Sequence, residues 1–510
     1  MSTPDTTVDG QRAALRAWVQ RRRPGREISF TETHVSILAF AGDRAWKLKK
    51  AVVYPFVDLS TRKLRRRQCE REVGLNRRLA RDVYLGVVPL DDPSGRVVDH
   101  LVEMVRMPDD RRLAALVSGP SDPTPCLDRV ADVVARFHHG APSGGAIDAH
   151  AMHDAVAGRW EHNLAELAPH VPSILDRDDV DRLAALARAY IAGRVQLFDE
   201  RVAAGRARDG HGDLLADDIF CLADAPRVLD CLEFDDHLRY GDVLADVAFL
   251  AMDLERLGRA DLAHHFLDRY RERAGDAWPE SLEHFYIAYR ALVRAKVACL
   301  RTKDGAPETA DRARDLLALA EAHLAAGRVR LVLVGGAPGT GKTTLARAVA
   351  YELRWPVFHS DEVRKELAGI APSAHGRSAV DAGIYTPEWD ARTYEELCRR
   401  AAEHLRRGVS VVLDASWGEP VLRANAARCG ASTSSEVISF RCSVAPTVAA
   451  ARASARALVG KDASDVSGDL ARKIGARFVD WPGASVVDTS AAPEVVAASV
   501  LADLRGRSPA

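Results

Sequence analysis

VLVGGAPGTGKTTLARAVA, residues 332–350, is the stretch that decides how this chain is read. Within it Gly336, Gly339, Thr340, Gly341, Lys342, Thr343 and Thr344 belong to a segment that fits the pattern G-x-x-x-x-G-K-[ST] in full. A short apolar run precedes the segment and a run with helical spacing follows it, which is the strand–loop–helix context the pattern requires. Glycine at these places lets backbone N–H groups close around a phosphate with no Cβ in the way. The first turn of the following helix adds a partial positive charge. In such a loop the lysine, here Lys342, reaches the terminal phosphates of a nucleotide, and the hydroxyl of Thr343 binds Mg2+.

Toward the C-terminus four more short apolar runs follow: WPVFHSD, GVSVVLDAS, SEVISFRCS and ASVVDTS, with helical stretches between them. Together with RLVLVGG they predict five strands of a parallel sheet with helices on both faces, over residues 329–505. Asp414 ends one of these strands, where a second Mg2+-coordinating carboxylate belongs, or where an aspartate caps the next helix. Asp361 ends another. Arg364, three residues on, faces the same way from the opening turn of a helix. At the carboxyl edge of a parallel sheet both would look into the ligand crevice. Asp361 would accept a proton from a substrate hydroxyl and Arg364 would hold an anionic group. The plainer reading of the two is a helix cap with a surface ion pair. Arg452 and Arg456 share one helical face, as in a lid whose arginines close over a phosphoryl group, or as an ordinary solvated face. Together these pieces resemble the nucleoside-monophosphate-kinase and polynucleotide-kinase-like branch of P-loop proteins. No second nucleotide motif of the oligomeric ring ATPases is found, although the loop itself is shared with the AAA family.

At 510 residues the chain exceeds what one hydrophobic core holds. An apolar fraction of 47% with 28% charged residues predicts a soluble, globular protein. The 71 basic and 72 acidic residues leave a net charge of −1, which gives no global pull toward nucleic acid or membrane. No run approaches the roughly 18 apolar residues of a membrane span, and the N-terminus lacks the apolar core of a signal peptide. The eight cysteines are scattered without a C-x-x-C pair. They predict neither a zinc site nor a disulfide framework, and they point to a reducing, cytoplasmic location. The basic tract from Arg62 to Arg81 has no aromatic residue on which a base would stack, which argues against a nucleic-acid site.

The first three hundred residues have a different texture. From Ile28 to about Leu101 β-like runs flank one charged helical stretch, and from about Asp128 to Leu300 the pattern is mostly helical. That order predicts a two-lobed α+β arrangement. His211-Gly212-Asp213-Leu214 enters a loop, followed by LADDIF and by Asp230 at the end of VLD. This order resembles the catalytic and metal loops of aminoglycoside phosphotransferases and other protein-kinase-like small-molecule kinases. The resemblance implies that Asp213 aligns or deprotonates an acceptor hydroxyl and that Asp230 holds Mg2+ on the nucleotide phosphates. Lys47, in RAWKLKKAV, stands where these kinases place the lysine that contacts the α/β-phosphates. Lys49 lies on the same strand face and is the alternative. The partner glutamate from the next helix is Glu72, with Glu70 as its rival. Asp218 stands where these kinases usually carry Asn. An aspartate still coordinates Mg2+, but it also repels the nucleotide phosphates. No G-x-G-x-x-G loop precedes Lys47. Asp246, in GDVLAD, is read as a support of the catalytic loop. Arg290, Arg294 and Arg301 fall close to one face of a helix, either for an anionic substrate or inter-domain contact, or as solvated arginines.

Longer stretches carry the resemblance further: KLKKAVVYPFVDLSTRKLRRRQCEREVGLNRRLARDVYLGVVPL, HGDLLADDIFCL, LDCLEFDD and GDVLADVAFLAMDLE. They look like one bacterial two-domain family, usually described as a bifunctional aminoglycoside phosphotransferase/ATP-binding protein, and the likeness spans nearly the whole chain. It implies a protein-kinase-like domain over residues 11–303, a helical connector over 304–328, and a P-loop NTPase kinase-like domain over 329–505. The implied function is ATP-dependent phosphotransfer with two nucleotide sites and ATP and Mg2+ as cofactors. The γ-phosphoryl would pass to a hydroxyl of a small molecule: a sugar, an amino sugar or an aminoglycoside-like compound. In the alternative, only the C-terminal domain is an active kinase or ATPase, and the N-terminal domain binds substrate or regulates.

Overall fold

The computed structural model describes residues 7–54, 57–303, 305–370, 384, 386–459 and 478–506, the side chains of 456–459 excepted. By packing, the chain forms two compact units. One comprises Met1–Val156, Arg201–Ala277 and Tyr289–Val297; the other comprises Ala157–Glu200, Trp278–Ala288 and Ala298–Ala510. Residues 157–200 join the second unit through contacts that no periodicity reveals. The buried guanidinium of Arg194 donates to the carbonyl of Thr433 at 2.8 Å, and Glu200 pairs with Arg407 at 2.8 Å. The helix Thr309–Ala326, within the expected connector, packs on the helix Arg177–Ala192.

The first unit opens with the helix Val8–Arg22 and a five-stranded antiparallel sheet. Its strands run in the order Ser29–Glu32, Ser36–Ala41, Arg44–Lys49, Val97–Val105 and Tyr84–Asp91. Alternation along the strand Arg44–Lys49 sorts its side chains between two faces. Trp46 and Leu48 join Leu15, Trp18, Ile37 and Leu101 in a core under the N-terminal helix. Ala45 joins Cys69, Val73, Tyr84 and Val102 in the core under the helix Arg62–Asn76. Lys47 and Lys49 therefore point to the face covered by that second helix. The rest of the unit is helical, chiefly Thr124–Gly140, Val243–Arg256 and Ala260–Ala274, with short strand pairs between.

One expectation is corrected here. Cys126, in the helix Thr124–Gly140, and Cys221, in the strand Ile219–Cys221, form a disulfide with a Cα–Cα distance of 5.9 Å. The six other cysteines are free. A separation of 95 residues carries no spacing pattern, so only the folded chain brings the two together.

The second unit contains a sheet of five parallel strands, as the sequence predicts. Their order is Val357–His359, Val411–Asp414, Arg330–Gly335, Glu436–Ser443 and Ser485–Asp488. Val332, Val334, Val412, Ile438 and Phe440 pack with Leu345 and Val349 of the helix Lys342–Leu353, and with Val500 and Leu504 of the helix Pro493–Gly506. Parallel pairing aligns the strand ends: Val334 faces Asp414, and Asp414 faces His359. Among the described residues no helix is long and apolar enough to cross a membrane.

Candidate active sites

In the first unit the two lysines of the strand Arg44–Lys49 converge on one carboxylate. Glu72 is fully buried; its Oε1 lies 2.9 Å from Lys47 Nζ and its Oε2 lies 2.5 Å from Lys49 Nζ. Glu70, the rival, is exposed and pairs with Arg66. Lys47 also reaches Asp230 at 2.6 Å, and Lys49 reaches Glu233 at 2.5 Å. Burial pulls the Lys47 ammonium down, but Asp230, Glu72 and Glu233 outweigh it and hold its pKa well above the ordinary lysine value. Burial likewise pushes Glu72 up, and the two lysines overcome it and lower its pKa. All five groups thus form one interlocked set of opposite charges, in which Glu72 bridges the two lysines and each lysine meets a second carboxylate.

Asp230 and Asp218 are brought together by a short hairpin. Ile219 pairs with Val228, and the N–H of Leu229 donates to the carbonyl of Asp218 at 2.9 Å. Asp230 adopts φ +63, a left-handed conformation that aspartate tolerates better than most residues. Its N–H donates to the Tyr84 hydroxyl at 3.2 Å. Burial, with the charges of Asp230 and Asp213 close by, raises the Asp218 carboxyl well above the usual carboxylate range.

Asp213 is carried by a loop that Asp246 pins from behind. The N–H of His211 donates to Asp246 Oδ2 at 2.7 Å and the N–H of Gly212 to Oδ1 at 2.8 Å. His138 Nε2 stands 3.0 Å from Oδ2. His211 Nε2 donates to the carbonyl of Leu229, which ties this loop to the Asp230 segment. Gly212 has φ +88, and a Cβ there would meet Leu232 and Arg239 at 3.2 Å or less, so only glycine fits. Burial pushes the Asp213 carboxyl up to about 6; Arg294 acts against this rise and Asp230 with it.

In the second unit the loop between the strand Arg330–Gly335 and the helix Lys342–Leu353 turns through Gly336, Gly339 and Gly341, with φ +142, +84 and +86. A Cβ on Gly339 would run into the carbonyl of Ala449, so the helix Pro446–Val459 lies against the loop. The Thr340 hydroxyl donates to the carbonyl of Ala337 at 2.8 Å. Lys342 is half-buried at the head of the helix and makes no ion pair among the described residues; Thr344 is exposed. The Thr343 hydroxyl donates to Asp414 Oδ2 at 2.7 Å, and His359 Nδ1 lies 2.8 Å from the same oxygen. Asp414 Oδ1 is buried and has no hydrogen-bond partner among the described residues. A buried carboxylate oxygen so placed calls for a cation or a polar ligand.

The other expected residues divide. Asp361 is half-buried on the first turn of the helix Ser360–Leu367, just beyond His359. Arg364 is buried, with its guanidinium bound to Asp390 at 2.5 Å and to the carbonyl of Ile384 at 3.0 Å. Arg452 donates to the carbonyl of Thr489 at 3.0 Å, and the Thr489 hydroxyl donates to the carbonyl of Thr340 at 2.7 Å. That chain of bonds links Arg452 to the glycine loop. The side chain of Arg456 lies outside the described residues. Sequence reading overlooks Glu233, Tyr84 and His359. An acidic residue three places after Asp230 and a histidine closing a strand were the available signals.

A strand lysine, a helix glutamate, a His-Gly-Asp loop and a following aspartate, gathered beside an antiparallel sheet and a set of helices, define a kinase-like fold of the aminoglycoside phosphotransferase and choline kinase type. The second unit holds a P-loop domain with a five-stranded parallel sheet, which implies nucleotide binding. The chain belongs to the family of the uncharacterized protein Rv2004c of Mycobacterium tuberculosis (strain ATCC 25618 / H37Rv). The two are 45% identical over 463 residues, 91% of this chain and 92% of the relative. Residues 331–479 match the family described as AAA domain. A choline/ethanolamine kinase family protein from Mesorhizobium loti is similar at 15% identity over 62% of this chain and 98% of its own, with a TM-score of 0.39. A gluconokinase from Sinorhizobium meliloti 1021 is similar at 19% identity over 35% of this chain and 92% of its own, with a TM-score of 0.25.

Proposed function

We propose that the protein is an ATP-dependent phosphotransferase with two nucleotide sites, one in each unit, of the bifunctional aminoglycoside phosphotransferase/ATP-binding type. The observation that carries this reading is the meeting of Lys47, Glu72 and Asp230 with the Asp213 loop. In the first site Lys47, fixed by Glu72, binds the nucleotide phosphates. Asp213 receives the proton of the acceptor hydroxyl. With a pKa near 6 it is mostly ionised at neutral pH yet basic enough to take up a proton. The crowded carboxylates Asp218 and Asp230 fit Mg2+ as donors, and Asp230 has 46% of its side chain exposed to reach it. In the second site Lys342 and the loop N–H groups bind phosphate, and Asp414 with Thr343 fits Mg2+ through the unpartnered Oδ1. Asp361, at the carboxyl edge of the sheet, is the candidate base there. Bound Mg2+ supplies charge neutralisation on the phosphates. The acceptor is a hydroxyl on a small molecule of the sugar class.

The test is turnover by the full-length protein with Mg·ATP and a panel of sugars, amino sugars, sugar acids and aminoglycosides, read by mass spectrometry. Product that disappears in Asp213→Asn assigns the first site; product that disappears in Lys342→Ala assigns the second. If every product survives Asp213→Asn, the first unit is a binding or regulatory module, the reading that the aspartate at 218 favours.

A further inference from the structure

The helix Glu280–Lys303 carries two arginines past Asp213, one turn apart on one face. Arg290 is committed: its Nε donates to the carbonyl of Ala245 at 2.7 Å, and its guanidinium lies 4.6 Å from the Phe249 ring. Arg294 is placed differently. Its side chain is 20% exposed, and its only ion pair among the described residues is with Asp213, at 4.0 Å. A charge-assisted N–H···O bond runs at about 2.7–2.9 Å, so the donors of Arg294 are not spent on that carboxylate. The nearby anions have other partners. Asp253 pairs with Arg256 at 2.7 Å, Asp230 pairs with Lys47, and Asp246 is taken by the loop N–H groups. A guanidinium largely withdrawn from water, with five donors in a planar fork, is built to receive an oxyanion.

Resting on the reading of Asp213 as the base that meets the acceptor hydroxyl, we propose that the acceptor is itself an anion. Arg294 holds its carboxylate or phosphate group while its hydroxyl lies against Asp213. The acceptor O–H gives its proton to Asp213, and its oxygen forms the new bond to the γ-phosphorus. The bond from that phosphorus to the bridging oxygen breaks, leaving ADP. A cationic amino sugar would set like charge against Arg294, and a neutral sugar would bring no oxyanion to its free donors. Within the sugar class this selects sugar acids, short hydroxy acids and sugar phosphates.

Full-length protein saturated with Mg2+ and a non-hydrolysable ATP analogue would be titrated calorimetrically with three anions: gluconate, glycerate and glucose 6-phosphate. Glucose, glycerol, choline and kanamycin serve as neutral and cationic counterparts. Turnover with Mg·ATP would be measured in parallel. At least one anion is expected to bind. Arg294→Met should weaken it about tenfold or more, Arg294→Lys should retain most of the binding, and Asp213→Asn should keep the binding while losing the product. The proposal is overturned if none of the anions binds, or if their affinity is the same in Arg294→Met. It is also overturned if the Asp213-dependent product comes from a neutral or cationic acceptor, or if Arg294→Met raises the KM for ATP and not that for the acceptor. Arg294-dependent anion binding without any Asp213-dependent product would leave the anion site standing and remove the phosphotransfer reading.

Discussion

Replacing Asp246 with asparagine exchanges one atom of a carboxylate that is enclosed on every side, and its cost can be worked from the bonds it makes. Oδ2 accepts from the N–H of His211 at 2.7 Å and faces His138 at 3.0 Å; Oδ1 accepts from the N–H of Gly212 at 2.8 Å. An amide keeps a single acceptor oxygen. In its better orientation that oxygen stays with His211 and His138, and the NH2 group is turned against the N–H of Gly212. A charge-assisted bond is worth about 1.5–3 kcal/mol, and a buried donor left unpaired costs about 1–3 kcal/mol. The two figures overlap, so about 3 kcal/mol is the working value. At about 2–4 °C per kcal/mol for a unit of 150–250 residues, the midpoint of its thermal transition should fall by about 6–12 °C. The effect is pH-dependent with a definite sign. Burial pushes the Asp246 carboxyl up, but the hydrogen bond and charge of His138, with His211 and Arg290, outweigh it and hold its pKa well below the ordinary value. A depressed folded pKa adds stability that is fully present above the unfolded value of about 4 and is lost as pH falls through the folded value. The gap between parent and variant should therefore be full at pH 7 and narrow below about pH 4. Thermal unfolding by circular dichroism, with ADP release alongside, reads both parts. A midpoint within about 2 °C of the parent at pH 7, with unchanged turnover, would refute the argument that Asp246 holds the loop of Asp213.

Four further outcomes are expected. Because Asp213 must be ionised to act as a base and its pKa stands at about 6, kcat/KM for its product should fall as pH drops through that value and level off at higher pH; a flat profile across the acid range contradicts this. Glu72→Gln removes the carboxylate shared by two buried ammonium groups, leaving each with one partner instead of two, and should cost about 3 kcal/mol of stability together with the Asp213-dependent turnover, measured by urea unfolding and product formation. Gly339→Ala forces a Cβ into a left-handed conformation and against the carbonyl of Ala449, so nucleotide binding at the glycine loop should be lost in equilibrium dialysis. Asp414→Asn should raise the Mg2+ concentration needed for half-maximal turnover at the second site about tenfold; an unchanged Mg2+ titration would remove Asp414 from the metal's donors.

What the sequence revealed and what it withheld follow from the range of the interactions involved. The glycine loop with Lys342 and Thr343 is local: strand, turn and helix are contiguous, and the five parallel strands follow from short apolar runs that need no knowledge of their partners. Asp246 was legible as a support because GDVLAD matches the acidic stretch that follows the position of Asp230 in the kinases the chain resembles. Glu233 was not, since its value lies in meeting Lys49 from 184 residues away. The choice between Lys47 and Lys49 had no sequence answer because the strand sends both to the same carboxylate. Helical spacing placed Arg364 beside Asp361, but its burial against Asp390 depends on where another helix packs. The partition of residues 157–200 was equally hidden, as an amphipathic helix does not state which core its apolar face will join. The disulfide belongs with these long-range facts.

The alternation along Arg44–Lys49 has a consequence for how the sheet reaches its correct pairing. Lysines at both ends of a three-residue span, each meeting one oxygen of Glu72, act as a check on alignment. A slip of one residue at the turn Gly42-Asp43 would send both ammonium groups into the layer of Trp18 and Leu15 and bring Trp46 and Leu48 against a buried carboxylate. A slip of two would preserve the faces, which is the error that apolar patterning alone does not punish. Here it would put Ala45 where Lys47 belongs, or Ala51 where Lys49 belongs, and leave one oxygen of Glu72 facing a methyl group. The arrangement that joins both lysines to Glu72 thus also proofreads the hairpin. Insertions or deletions in that turn should be rejected by the chain even where the loop itself has room for them.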